Sequence, residues 1–185
     1  MKILVAIYSP FASWCIPDAQ VEDLRQQFPA HTFVRADSDE ETLARIPDAE
    51  VAFSSLINAE QFAAARRLRW IHSPAAGVGG MLFPAMVASP VAMSNSRGNS
   101  AVTMGEHVIA VTLAILRQLP LAWRRQQQRV WAQDEFNAGA TIRTLRASRI
   151  LIVGLGAIGG EVGRRAVAFG AEVVGIRRTG ALDNL

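Results

Sequence analysis

The chain has 185 residues, half of them hydrophobic, and a net charge of +3. That length and apolar content suffice for one or two packed globular domains. A lone cysteine, Cys15, excludes an internal disulfide and a thiolate zinc cluster, and no apolar run approaches the length of a membrane span.

In chain order, residues 3–7 predict a strand. The apolar start is broken at Tyr8, Ser9 and Pro10, which argues against a signal peptide and for a cytoplasmic location. Residues 18–28 predict a helix with Pro29 beyond it, and residues 32–35 a second strand. Ser38 or Asp39 can cap a helix to about Ile46, residues 51–54 predict a third strand, and Asn58 can cap a helix to about Leu68. Residues 70–72 are the fourth strand, the segment after Gly80 is expected to be helical to about Ala88, and residues 91–93 are the fifth strand. Repeated strand and helix alternation predicts a parallel sheet with helices on both faces.

Between the fourth strand and its helix lies Ser73-Pro74-Ala75-Ala76-Gly77-Val78-Gly79-Gly80. Small residues after a parallel strand can turn backbone amides toward an anion at the end of the sheet where α/β proteins bind ligands. A substrate carboxylate cradle and a flexible turn are both compatible with these residue types.

Residues 95–100 are polar and turn-rich, as a hinge would be. Asn99 or Ser100 is expected to cap a long helix reaching about Leu119 and closed by Pro120. Its apolar residues are too many for one stripe, so burial on most sides is expected. Glu106 and His107 lie in this helix and suit interior or interface hydrogen bonding. Residues 121–134, with Trp123 and Trp131 among arginines, predict a second amphipathic helix or arm.

Residues 150–153 form an unbroken apolar run suited to a strand buried on both faces, and it enters Gly154-Leu155-Gly156-Ala157-Ile158-Gly159. The glycines serve a tight turn, close approach to a pyrophosphate, and helix packing on the strand. A helix over residues 158–169 would direct its first amides at that pyrophosphate, Gly170 would stop it, and residues 171–176 would form the next strand. Arg177 and Arg178 stand at its tip, where an acidic residue commonly holds a ribose 2′-hydroxyl. They predict NADP over NAD as cofactor, or else merely solvate a strand end.

His31, His72 and His107 lie far apart, so no metal site is expected. The pI of about 10.0 directs attention to nucleic acid. The arginine groups at 66–69, 124–125 and 143–149 nevertheless lack interleaved aromatics and read as solvated helix faces. Neither a nucleic-acid nor a membrane partner is expected.

Four blocks, in order, resemble the D-isomer-specific 2-hydroxyacid dehydrogenases: residues 70–79, Asn95-Ser96-Arg97-Gly98, Met104-Gly105-Glu106-His107, and residues 152–159. The resemblance implies hydride transfer between NAD(P) and the C2 of a small D-2-hydroxyacid or 2-keto acid. It implies a flavodoxin-like substrate domain over 1–98 and linking helices with a dimer arm over 99–148. The first βαβ of an incomplete Rossmann coenzyme domain would occupy 149–185. Amides of Ala76 and Gly77 would hold the substrate carboxylate, Met104 would lie by the nicotinamide, and amides of Ala157 and Ile158 would meet the pyrophosphate. Arg177 takes the position of the family's usual ribose-binding aspartate. A homodimer through residues 100–134 is implied as well.

The family's catalytic arginine, glutamate and histidine lie beyond residue 185, so no residue here inherits a catalytic role and the chain alone is expected to be inactive. Only His72 invites consideration as an acid/base, and no carboxylate orients it in its motif. The alternative is a non-catalytic nucleotide-binding or regulatory dimer module.

Overall fold

Five short apolar runs pair as one parallel sheet in the computed structural model, which describes residues 1–139 and 142–178. They are β1 (Lys2–Ala6), β2 (Thr32–Arg35), β3 (Val51–Ser54), β4 (Trp70–Ser73) and β5 (Ala92–Asn95), in the spatial order β2-β1-β3-β4-β5. The order is the flavodoxin-like one, and β1 lies between β2 and β3 with Leu4 against Val34 and Ala52.

Both faces of this sheet are covered. Leu4, Ala6, Ala52 and Ile71 pack on one side with Ile46 and Ile57, while Val5, Ile7 and Phe33 pack on the other with Ile16 and Val21. The alternation follows from the two-residue repeat of a strand. Leu4, Ile46, Ile57 and Ile71 are at most 1% exposed, and each such burial is worth about 1.5–3 kcal/mol.

The helices begin where local chemistry starts them. α1 (Asp18–Gln27) follows Pro17, and the Ser38 side chain accepts from Glu41 N at the start of α2 (Asp39–Arg45). α3 (Ala59–Ala64) opens with a reciprocal Asn58–Gln61 capping box.

It stops at Ala64, short of the expected Leu68. Ala65 turns extended, and Arg66 N and Arg69 N bond Pro47 O and Glu50 O instead. The helix expected after Gly80 is likewise broken. A 3₁₀ turn at Gly79–Met81 is separated from α4 (Pro84–Val87) by Phe83, held extended before proline.

The chain falls into two compact units, Met1–Arg97 and Gly98–Leu185. In the second, α5 (Ala101–Leu116) ends earlier than expected, and Pro120 sits in the first turn of α6 (Leu119–Gln127) rather than closing α5. Ser100 occupies the N-cap, but its side chain makes no capping bond. Gln118 at φ 55° separates the two helices, and Arg129, also at φ 55°, ends the arm before α7 (Gln133–Ala138).

α5 is not buried on most sides: only Ala101, Gly105 and Ile109, spaced four apart, are. Val102, Val108, Val111 and Ile115 are exposed. Its apolar count reflected two faces, of which the described residues cover one.

β6 (Arg149–Val153) and β7 (Glu172–Ile176) form a parallel pair around α8 (Ala157–Ala168). Ile150, Ile152 and Val173 pack with Val162 and Ala166 of α8 and Ile109 of α5. The other face carries Leu151, Val153, Val174 and Ile176, with Val153 78% exposed. Burial of β6 on both faces is therefore corrected to burial on one, because α5 and α8 both pack on the same side. Residues 179–185, the last part of the segment expected as coenzyme domain, lie outside the described residues, as do 140 and 141.

Candidate functional site

In the second unit, β6 enters a turn whose glycines have separate geometric reasons. Gly154 adopts φ +101°, a conformation L side chains rarely take, and Gly154 N and Leu155 N both donate to Ile176 O at 2.8 and 3.1 Å. The turn is thereby pinned to the end of β7. A Cβ at Gly159 would stand 2.4 Å from Gly154 O and 3.0 Å from Ile152 Cγ2, so α8 approaches β6 only because residue 159 has none. A Cβ at Gly156 would meet nothing within 4 Å, which leaves open space beside the helix N-cap.

α8 begins at Ala157, so the amides of Ala157 and Ile158 belong to its first turn and have no intrahelical acceptor. The helix dipole adds positive potential at the same place. Backbone donors, an open approach and a helix end fit the pyrophosphate of a dinucleotide.

Gly175 completes the turn: a Cβ there would come within 2.9 Å of Leu155 Cδ2. A glycine inside a strand was the available signal for that close approach.

Arg177 and Arg178 follow β7 directly and are exposed, giving the strand tip two positive charges. Met104 lies on α5, exposed, one residue before the Gly105 that abuts Glu161 of α8. Arg165 donates to Glu161 and, at 3.3 Å, to Glu106 on α5, while Arg164 also pairs with Glu161. The Arg165 hydrogen bond leads in holding the Glu161 carboxyl below the usual glutamate range. Glu106 thus bridges helices, and His107 is exposed.

In the first unit, the loop after β4 leaves Ala76 and Gly77 exposed. Ser73 Oγ takes the amide of Ala75 at 3.2 Å, and Asn95 Nδ2 donates to Ala76 O at 2.6 Å. Among the described residues, no acceptor takes the amides of Ala76 and Gly77. Two adjacent donors on a small-residue loop can receive a carboxylate.

His72 has both ring nitrogens engaged, Nδ1 with Ser94 Oγ at 2.9 Å and Nε2 with Ser96 Oγ at 3.2 Å. Its ring also lies against Phe53, with centroids 5.5 Å apart. These contacts join β4 to β5 and give the histidine a place in the sheet. Sequence reading missed Asn95, Ser94 and Ser96 as partners of the loop and of His72, since register alone brings β5 beside β4.

The segment expected to form a dimer arm presents Val111, Ile115 and Trp123 to solvent, and Trp131 is 89% exposed. Between α6 and α7 lies a cavity of about 880 Å³ lined by Leu119, Trp123, Val130, Trp131 and Phe136. Arg125 donates to both Glu135 oxygens at 2.6 and 2.8 Å, which holds the Glu135 carboxyl below its usual range. Among the described residues, no single helix is long and apolar enough to cross a membrane, and no group of three His, Cys, Asp or Glu could hold a metal.

Residues 109–184 match the family model described as the D-isomer specific 2-hydroxyacid dehydrogenase NAD binding domain. The chain is 30% identical over 135 residues to D-3-phosphoglycerate dehydrogenase of Mycobacterium tuberculosis, covering 71% of this chain and 25% of that protein. It is 29% identical over 140 residues to the same enzyme of Archaeoglobus fulgidus, covering 74% of this chain and 26% of the relative. A D-isomer specific 2-hydroxyacid dehydrogenase family protein from Aeromonas salmonicida superposes with a TM-score of 0.79 at 27% identity, covering 98% of this chain and 55% of that one. The chain thus spans about a quarter of the length of these curated relatives.

Proposed function

We propose, for a chain that belongs to the D-isomer specific 2-hydroxyacid dehydrogenase family, that it binds a nicotinamide dinucleotide and the carboxylate of a small D-2-hydroxyacid or 2-keto acid. The activity proposed for the whole protein is reversible hydride transfer between the two. The observation that carries the proposal is the glycine turn, in which Gly159 admits α8 against β6 and Gly156 leaves the helix N-cap open.

When bound, the dinucleotide supplies or accepts the hydride. The chain's own part is positioning. Amides of Ala157 and Ile158 hold the pyrophosphate, Gly154, Gly156 and Gly159 shape its approach, and Met104 borders the nicotinamide. Amides of Ala76 and Gly77 hold the substrate carboxylate. That contact is to backbone, so it selects the carboxylate that all 2-keto acids share and leaves their side chains unread.

Arg177 and Arg178 support NADP as the preferred cofactor, because a 2′-phosphate gains from cations where a 2′-hydroxyl needs an acceptor. No residue here is assigned the proton transfer, and His72 serves the β4–β5 contact instead. A homodimer through residues 100–134 is part of the same proposal, supported by the exposed apolar residues of α5 and by Trp123 and Trp131.

The test is calorimetric titration of the purified 185-residue chain with NADPH and with NADH. Tighter binding of NADPH by about tenfold supports the proposal; equal affinities refute the NADP preference, and failure of both to bind refutes the dinucleotide site. Light scattering on the same sample tests the dimer, and a monomer at high concentration would count against it.

A further inference from the structure

We propose that Asn95 is a positioning residue for the loop after β4, holding the Ala76 carbonyl so that the Gly77 N–H is aimed outward as an anion donor. The inference rests on the assignment of the Ala76 and Gly77 amides to the substrate carboxylate.

Asn95 is the last residue of β5, and its Nδ2 donates to Ala76 O at 2.6 Å. Within a planar trans peptide the carbonyl and the following N–H point in opposite directions. No peptide bond among the described residues is cis. Fixing the Ala76 oxygen toward Asn95 therefore sends the Gly77 N–H the other way. On that residue a Cβ would meet nothing within 4 Å, so its surroundings are open.

The need for such a hold comes from Gly77 itself. A glycine imposes little steric barrier to rotation of the 76–77 peptide, and a flipped peptide would present a carbonyl oxygen to an anion. The Ala75 amide is not free to join the cradle, since it is given to Ser73 Oγ.

Asn95 is in turn well anchored. Its strand register places it opposite Ser73, and Ser96 N donates to Ser73 O at 3.0 Å. The flanking Ser94 and Ser96 hydroxyls bond the two nitrogens of His72. Trp70 Nε1 donates to Ser94 Oγ at 2.8 Å. The Ser94 hydroxyl thus contacts both the Trp70 indole and His72 Nδ1, and Ser96 Oγ lies 3.2 Å from His72 Nε2. These contacts tie β5 to β4 on one side of the strand while Asn95 holds the loop.

The test uses the ¹⁵N-labelled 185-residue chain, oxamate as a 2-keto acid analogue with and without NADPH, and the variants Asn95→Ala and Asn95→Asp. The aspartate keeps the shape but has no N–H to give. In the parent chain the Gly77 amide resonance should move on titration. In both variants oxamate affinity should fall about tenfold, the scale of a lost hydrogen bond to a charged group. The His72 and Ser94 resonances should stay unchanged.

Variants that bind oxamate as the parent does, with Gly77 still responding, would overturn the role of Asn95 and leave the cradle standing. Loss of binding together with the His72 and Ser94 pattern would make Asn95 a structural residue and overturn its positioning role. A parent chain whose Gly77 amide ignores oxamate would overturn the cradle, and the inference with it.

Discussion

Gly105 of α5 and Glu161 of α8 are so close that a Cβ built on residue 105 would stand 2.7 Å from the Glu161 Cβ. The two helices meet through a missing side chain, with Arg165 bonded to Glu106 beside it. Gly105→Ala would gain up to about 1 kcal/mol of helix propensity. Overpacking against a Cβ, which cannot rotate away, costs about 1–3 kcal/mol, so a net destabilisation of roughly 1 kcal/mol is expected. Urea unfolding followed by circular dichroism measures it, and a variant more stable than the parent would show that α5 and α8 separate without penalty.

The glycine turn predicts two opposite outcomes for one type of substitution. Gly159→Ala puts a Cβ 2.4 Å from the backbone oxygen of Gly154, so α8 must move off β6. Both stability and NADPH affinity should fall, the former by about 1–3 kcal/mol. Gly156→Ala meets no atom within 4 Å, and φ −98° is ordinary for alanine. Its unfolding midpoint should stay within about 0.5 kcal/mol of the parent while NADPH affinity drops at least tenfold. Calorimetry and thermal unfolding on both variants separate the structural glycine from the one proposed to admit the ligand.

That division also shows what was legible in the sequence. The turn could be read from Ile150 to Gly170 because strand, glycines, helix and stop are local and each leaves a residue at a fixed offset. The five-strand sheet was legible for the same reason, through Ser38, Asn58 and the short apolar runs.

Burial of α5 was not, because Val102, Val108 and Ile115 announce apolar faces without saying which one another element covers. Nor was Asn95, whose bond to Ala76 spans 19 residues and exists only because β5 pairs with β4. The end of α3 was set from outside as well, by Pro47 O and Glu50 O drawing the chain away at Arg66 and Arg69.

Arg177 and Arg178 stand at the β7 tip, where, under the proposed dinucleotide site, charge would decide between the two dinucleotides. Arg177→Asp replaces a cation that favours a 2′-phosphate with an acceptor suited to a 2′-hydroxyl. NADPH affinity should fall at least tenfold and NADH affinity should rise, read by quenching of intrinsic tryptophan fluorescence. Unchanged affinities for both would mean that the arginines only solvate the strand end.

Tyr8, the only tyrosine in the chain, donates to Asp39 Oδ1 at 2.6 Å and meets Thr42 Oγ1 at 3.1 Å, while Gln61 Nε2 donates to the same Asp39 oxygen at 3.1 Å. Burial first, and then the hydrogen bond to Asp39, raise its pKa above the ordinary tyrosine value. A group whose folded pKa is raised contributes stability that is complete below its unfolded pKa and is lost as pH rises through the folded one. The first unit should therefore lose stability on the alkaline side, from the ordinary tyrosine pKa upward.

Tyrosinate absorbance reports this one residue without assignment, and its midpoint should lie above that of the urea-unfolded chain. Tyr8→Phe removes the hydrogen bond, at a cost of roughly 0.5–1.5 kcal/mol at neutral pH. It should also flatten the alkaline limb, because no phenol remains to ionise. Equal tyrosinate midpoints in folded and unfolded protein would mean that Asp39 neither withholds nor orients the Tyr8 proton. The contact would then be a surface bond of little consequence for the loop at the end of β1.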